Sequence, residues 1–246
     1  MYDFSRRIVA ITGAAKRLGY AMAERFLADD ALGVALLDIQ EDILNDACKK
    51  LDPKGERTLP IICDVGDYAS VEAAFTKIQD HFGRVDILIN NAGITRDAIA
   101  AKMTPEQFDI TVQVSLNGAF YCARQVIAGM RERGWGRIIS LSSMAAEGNI
   151  GQANYAAAKA GIIGLTRTLS DELVNKGITV NSIAPGLINT DIINTIPDNI
   201  MERLIKKIPA GRIGEPKEVA DLAAFLASDR AAYISGQHIK ISGGLR

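Results

Sequence analysis

Histidine and cysteine are scarce in this chain. Its 246 residues include two histidines, His81 and His238, far apart, so neither a histidine metal site nor a Ser-His-Asp triad is well supplied. Acid–base chemistry must rest on other side chains. Three cysteines, Cys48, Cys63 and Cys122, are odd in number and share no C-x-x-C spacing, which argues against a disulfide framework or zinc cluster and suits a reducing compartment. A charge excess is missing too: 28 Lys and Arg against 29 Asp and Glu leave a formal net charge of -1. Without a basic footprint, nucleic acid is not an expected partner. No stretch reaches the ~18 apolar residues of a membrane span, and Met1 to Arg7 carries no apolar leader segment. The expectation is a soluble, cytoplasmic protein that meets no membrane.

What the chain has is enough apolar material for a large core: 48% hydrophobic residues against 23% charged. Short β-rich runs recur at Arg7 to Thr12, Leu32 to Leu37, Leu59 to Cys63, Val85 to Asn90, Arg137 to Ser142, Ile178 to Ala184 and His238 to Ile241. Segments of helical spacing separate them, such as Val71, Ala74, Phe75 and Ile78. That alternation predicts an α/β fold, a doubly wound parallel sheet with helices on both faces. Pro60 inside one run predicts an edge strand. Pro105 to Arg133 and Asn154 to Lys176 read as the long helices, stopped by Gly134 and Gly177. No linker divides the chain, so residues 1–246 read as one domain. Residues 189–215 hold an amphipathic stretch of Ile200, Met201, Leu204, Ile205 and Ile208 between Pro197 and Pro209. It reads either as a surface helix or as an apolar lid over a substrate cleft.

Thr12-Gly13-Ala14-Ala15-Lys16-Arg17-Leu18-Gly19 leads from the first strand into a helix. A glycine turn there lets backbone approach a pyrophosphate and points a helix N-terminus at its charge. Asp38 ends the second strand, 25 residues after Gly13, where a carboxylate can accept from an adenosine ribose. Asp38-Ile39-Gln40-Glu41 reads equally as a capping box. A carboxylate there disfavours a 2′-phosphate and favours NAD, while Lys16 and Arg17 could pair with that phosphate and leave NADP open.

Tyr155 and Lys159 lie four apart on a predicted helix and so share a face. Ser142 and Ser143, Asn90-Asn91-Ala92-Gly93 and Asn181 to Gly186 end neighbouring strands and face the same crevice. With these motifs the chain resembles, over essentially its full length, the short-chain dehydrogenase/reductase family. The resemblance implies a Rossmann-type fold with seven strands in the order 3-2-1-4-5-6-7 and an Asn-Ser-Tyr-Lys tetrad. Tyr155 is then the acid–base residue, whose pKa of about 10 must fall toward neutrality, a change of about 4 kcal/mol at about 1.4 kcal/mol per unit. The Lys159 ammonium and the charge of the oxidised nicotinamide, in a water-poor cleft, would supply it, and Lys159 would also hold the nicotinamide ribose. Ser143 would bond the substrate oxygen, its rival role being a strand-end hydroxyl that satisfies backbone. The match further places Gly13, Arg17, Leu18 and Gly19 at the pyrophosphate, Asp38 and Ile39 at the adenosine ribose, and Asp64 and Val65 about the adenine. It sets Asn91, Ala92 and Gly93 along the ribose side, and Pro185, Gly186, Ile188 and Thr190 at the carboxamide. Asp64 could instead cap a helix, and the Pro185-Gly186 pair could be only a turn.

Three positions depart from the family pattern. Arg17 replaces the middle glycine of the loop. Ser115 stands where the tetrad asparagine props a helix bend and holds a water linked to Lys159, and Asn117, two positions on, should point elsewhere. Ser143 precedes Tyr155 by only twelve residues, leaving Ser142 as a lesser candidate.

Within the family, Asn90 to Asp97, Gly151 to Gly161 and Pro209 to Gly214 resemble 3-oxoacyl-ACP reductases and acetoacetyl-CoA reductases. That implies a 3-oxoacyl or 3-hydroxyacyl thioester and a homotetramer. Arg131 and Arg133 match one basic site for the acyl carrier protein (ACP), yet Asp171 stands where the other would be and puts ACP in doubt; the two arginines could instead complement a helix C-terminus. NAD-dependent oxidation of a small secondary alcohol is the alternative enzyme reading. A non-catalytic NAD-binding regulator is a third, opposed by the complete Ser143, Tyr155 and Lys159 set.

Overall fold

Seven aliphatic, β-branched runs pair in parallel to make one sheet: β1 (Ile8–Thr12), β2 (Gly33–Asp38), β3 (Thr58–Ile62), β4 (Ile87–Asn90), β5 (Gly136–Leu141), β6 (Ile178–Pro185) and β7 (His238–Ile241). The computed structural model describes residues 2–190 and 198–245. Strand order is β3-β2-β1-β4-β5-β6-β7, as the resemblance implies. Each expected strand is present, with no end moved by more than two residues and β7 as expected. Every residue of β1 is buried: Val9 and Ile11 enter the apolar cluster on one face, Ile8 and Ala10 that on the other. This is the two-sided burial of a central parallel strand between helix layers. β3 pairs only with β2, so Pro60 does lie in an edge strand.

Eight α-helices are described: α1 (Arg17–Ala28), α2 (Glu41–Leu51), α3 (Tyr68–Phe82), α4 (Pro105–Val112), α5 (Gly118–Arg133), α6 (Ala153–Leu173), α7 (Asp198–Lys206) and α8 (Pro216–Ala227). Among the described residues no helix is long and apolar enough to cross a membrane. Gly134 and Gly177 close their helical segments in left-handed conformation, at φ 65° and 73°. The second long helix ends earlier than expected, at Leu173, and Val174–Lys176 tighten into a 3-10 turn.

The first long helix, expected as one piece, is three. Gln113–Asn117 form a π turn between α4 and α5, closed by the Gly118 N–H on the Gln113 carbonyl. Gly118 is needed there: a Cβ would come within 2.9 Å of both the Val65 side chain and its carbonyl oxygen. Ser115, within this turn, is buried at 1% exposure.

The capping box expected at Asp38 to Glu41 does not form. Gln40 caps α2 without a side-chain bond, because the Asp38 carboxylate serves the Gln40 and Ala15 amides, each at 3.1 Å. Nor does Asp64 cap α3; Asp67 does, and Asp64 accepts from Gly66 N at 2.9 Å.

In the 189–215 segment, Met201, Leu204 and Ile205 are half-buried, Ile208 is buried, and Ile200 is exposed. Pro197 lies outside the described residues. The two ends of the segment are stitched together: Asn189 N donates to Gly214 O at 2.7 Å and Gly214 N to Leu187 O at 2.9 Å.

Candidate active site

The carboxyl ends of β1, β4, β5 and β6 open into one crevice, as expected where strand order reverses beside β1. A cavity of about 280 Å³ there is lined by Leu18, Asn91, Gly93, Ser143, Tyr155, Lys159, Pro185, Gly186, Ile188 and Thr190, all expected from the sequence. It also takes in Leu141, Ser142 and Leu187. Ser142 had been only a lesser candidate, and Leu141 and Leu187 carry no chemical signal beyond their neighbours.

On one shoulder, side chain-to-backbone bonds fix the glycine turn. Asn91 Nδ2 donates to the Thr12 and Gly13 carbonyls at 2.9 Å, while Thr12 Oγ1 accepts from Asn91 N and Ala92 N at 3.0 Å. Gly13 is left-handed, and a Cβ on Gly19 would lie 2.2 Å from Gly13 O. Neither position admits a side chain, and the turn leads straight into the N-terminus of α1. Arg17 opens α1 at φ 56°, a left-handed backbone that costs a non-glycine residue ~1–2 kcal/mol. The glycine missing from the family pattern is thus missing at a position whose geometry favours glycine. Asp38 is buried behind the turn and Ile39 is exposed; Asp64 is exposed, and Val65 packs on Gly118. These residues, with Gly13, Arg17, Gly19, Ala92 and Ser115, do not line the cavity itself.

The floor is built from side chains. Lys159 is 3% exposed, donates from Nζ to Leu141 O at 2.6 Å, and stands 5.5 Å from the centre of the Tyr155 ring. Burial brings its pKa down to about 8. Burial likewise raises Tyr155, a hydrogen bond with Ser143 opposes the rise, and the Asp97 carboxylate adds to it. The chain's own groups therefore favour the protonated phenol of Tyr155. Ser143 Oγ also accepts from Ala145 N at 3.1 Å, so its backbone role and its contact with Tyr155 coexist. Ser142 is spoken for: its hydroxyl donates to Lys159 O at 2.8 Å. Ser115 Oγ accepts from Ile94 N at 3.3 Å, and a Cβ on Gly93 would lie 3.3 Å from both Ser115 Oγ and Lys159 Nζ. The missing side chain leaves a notch between them. Asn117 turns away, donating to Gln113 Oε1 at 2.7 Å.

A family model described as enoyl-(acyl carrier protein) reductase matches residues 13–246. The chain belongs to the short-chain dehydrogenase/reductase family. It is 40% identical over 246 residues to the 3-oxoacyl-[acyl-carrier-protein] reductase of Escherichia coli, covering 99% of this chain and 98% of that one. To the acetoacetyl-CoA reductase of Shinella zoogloeoides it is 41% identical over 238 residues, 96% of this chain and 92% of the relative. A (2S)-[(R)-hydroxy(phenyl)methyl]succinyl-CoA dehydrogenase subunit of Thauera aromatica is 37% identical over 238 residues, 97% and 96% of the two chains. The protein is an oxidoreductase that acts on CH–OH and C=O groups with a nicotinamide dinucleotide.

Away from the crevice, Arg133 is engaged by the body, with its guanidinium on Val85 O at 2.6 Å and 3.6 Å from Asp86. It complements a strand start rather than its helix end. Arg131 stays exposed.

Proposed function

We propose that the protein interconverts a 3-oxoacyl thioester and its 3-hydroxyacyl form, with Tyr155 moving the proton. The observation that carries this reading is the convergence of Ser143, Tyr155 and Lys159 on one cavity that also takes in Leu18 of the glycine turn. The dinucleotide fits the shoulder: Gly13 and Gly19 let the turn close on itself and against Asn91 and Ala92 where a Cβ would collide, and Asn91, Gly93, Pro185, Gly186, Ile188 and Thr190 line the continuation. When bound, it supplies or removes the hydride at the substrate carbon.

Everything else falls to the chain. Ser143 donates to the substrate oxygen and stabilises charge that develops on it. Tyr155, held protonated by burial, delivers its phenolic proton to that oxygen in reduction and recovers it in oxidation. Lys159 steadies the phenolate through its ammonium and donates to the nicotinamide ribose. A water in the Gly93 notch would reach both Lys159 and Ser115, so Ser115 takes the asparagine's part in resupplying the proton.

Asp38 supports NAD. Its carboxylate lies at the end of β2 with one backbone amide on each oxygen, where a 2′-phosphate would meet like charge. Lys16 Nζ is engaged by Gln40 Oε1 at 3.1 Å, a partner with which such a phosphate would have to compete. Residues 189–215, rooted on the Leu187–Gly214 and Asn189–Gly214 bonds beside Ile188 and Thr190, act as an apolar lid over the acyl group within a single domain. The relatives' names support both CoA and ACP thioesters; Asp171 and the engaged Arg133 favour CoA or pantetheine forms. A cytoplasmic homotetramer completes the reading.

Acetoacetyl-CoA tests it, assayed by nicotinamide absorbance with NADH and NADPH against a panel of simple ketones and secondary alcohols. Thioester reduction faster than turnover of the small alcohols is expected. Activity only on the latter would put the alternative dehydrogenase in its place.

A further inference from the structure

Asn154, the residue before Tyr155, is fully buried and makes more tertiary hydrogen bonds than a first-turn helix residue needs. Its Nδ2 donates to Arg96 O and Gln107 O at 2.9 Å and meets Thr111 Oγ1 at 3.1 Å; its Oδ1 accepts from Tyr155 N at 2.8 Å. Thr111 is itself fully buried and donates to Gln107 O at 2.8 Å.

The pattern has a local cause. Gln152 caps α6 without a side-chain bond, which leaves the Tyr155 amide, one of the orphan donors of the first turn, to be satisfied from elsewhere. Asn154 satisfies it from inside the helix. Its other end reaches two separate pieces of the site. Arg96 belongs to the strap that follows Asn91-Ala92-Gly93, and Gln107 and Thr111 lie on α4, which runs into the turn holding Ser115. Two further bonds tie the same strap to the approach of α6: Ala98 N donates to Gly151 O and Gln152 Nε2 to Asp97 Oδ2, both at 2.9 Å.

We infer that Asn154 is the positioning residue of this active site: one buried carboxamide sets Tyr155 against the cofactor-lining loop and against Ser115, and acts on turnover through the Tyr155 hydroxyl. Asn suits the place because it offers an acceptor and donors together. Aspartate has nearly the same shape but would face the Arg96 and Gln107 carbonyls with oxygen instead of N–H. The inference rests on the acid–base role given to Tyr155.

Asn154→Ala and Asn154→Asp test it in the full chain. Misplacing a reacting group by about 1 Å costs ~100-fold in rate, so both variants should lose kcat on that scale, while KM and the affinity for reduced dinucleotide, read by fluorescence titration, stay within about twofold. The Asp variant shows whether the donors matter or only the volume. Near-normal kcat in either variant, or a loss of dinucleotide affinity equal to the loss of kcat, overturns the inference. If either variant lacks a cooperative melt, Thr111→Val decides. It removes one acceptor of the carboxamide and should lower kcat several-fold at unchanged KM; unchanged kcat overturns the proposal. Should the wild-type chain turn over none of the thioesters, the functional reading fails, and Asn154 is then judged by ring-carbon NMR of labelled tyrosine. Of the six tyrosines, the resonance lost in Tyr155→Phe is expected to move in Asn154→Ala while the others hold still. A stationary Tyr155 resonance overturns the positioning role independently of any substrate.

Discussion

The two shoulders of the crevice are built by different means. On the β1–β2 side, backbone makes the surface: glycines that cannot carry a Cβ, carbonyls held by Asn91, an amide held by Asp38, and a helix that starts at a left-handed Arg17. On the β5–α6 side, side chains make it, Ser143, Tyr155 and Lys159 at the surface, with Asn154 and Ser115 buried behind them at 0% and 1% exposure. A backbone surface tolerates a changed side chain at the price of local conformation, as Arg17 shows. A side-chain surface changes its chemistry when one residue changes, as Ser115 shows. Binding and reaction are therefore separable by mutation.

The largest separation is expected from Tyr155→Phe. Loss of the phenolic proton should reduce kcat by ~100- to 10,000-fold, the range of general acid–base catalysis, while dinucleotide affinity survives. Stopped turnover with an unchanged titration of the reduced cofactor checks it; affinity lost in parallel would mean that the floor is also a binding surface. The opposite substitution lies across the crevice. Asp38→Ser should leave kcat with NADH near its starting value and raise the kcat/KM ratio of NADPH to NADH by ~10-fold or more, since like charges about 4 Å apart repel by ~1–4 kcal/mol at the dielectric of a protein surface. A wild-type enzyme that already prefers NADPH would reverse the assignment of Asp38.

Lys159 sharpens the contrast through pH. Its folded pKa is about 8 against an ordinary 10.5, so between those values the unfolded chain binds more protons than the folded one, and stability from this group rises with pH across that window. Below pH 8 the fold bears the full cost of the buried ammonium, about 3 kcal/mol at ~1.4 kcal/mol per unit. Lys159→Met should therefore raise Tm by several degrees at pH 7, with the gain shrinking as pH climbs from 8 toward 10, while turnover is lost. In the wild type, turnover should fall above pH 8 as the ammonium is lost. Melting curves at pH 7 and 9.5 decide the first point and a pH–rate profile the second.

Much of this was legible in the sequence, and the limits have a physical cause. Strands show because buried parallel strands are continuous apolar runs, and Tyr155, Lys159, Ser143 and the glycine turn show because their chemistry demands fixed spacing. Side chains that bond backbone far along the chain leave no local pattern. Asp38 looks like a helix cap until the Ala15 amide, 23 residues away, is seen to hold it. Asn154 is silent because its acceptors lie 43 to 58 residues earlier. The π turn is hidden for a similar reason: Pro105 to Arg133 has good helical character throughout, and the crowding of Gly118 against Val65 that accompanies the extra residue is tertiary. The upward push on the Tyr155 pKa is hidden as well, since it comes from burial and from the Asp97 carboxylate, 58 residues earlier.

The smallest effect is expected at that turn. Ser115 Oγ reaches Ile94 N at 3.3 Å and makes no direct bond to Lys159, so any link between them passes through the Gly93 notch. A hydroxyl can accept from a water there and donate onward, as the family's carboxamide does with longer reach. Removing it in Ser115→Ala leaves the cavity lining and the cofactor shoulder intact and deletes one station of the proton's resupply. The expected result is a kcat lowered by ~3- to 10-fold with KM nearly constant, at the low end of what a single proton-transfer partner contributes, together with a solvent isotope effect larger than in the wild type. Ser115→Asn, which restores the longer carboxamide, should recover or exceed wild-type kcat if the π turn accommodates it. Unchanged kcat, pH profile and isotope effect in Ser115→Ala would show that protons reach Lys159 by another route, and would confine the reactive side of the crevice to Ser143, Tyr155 and Lys159.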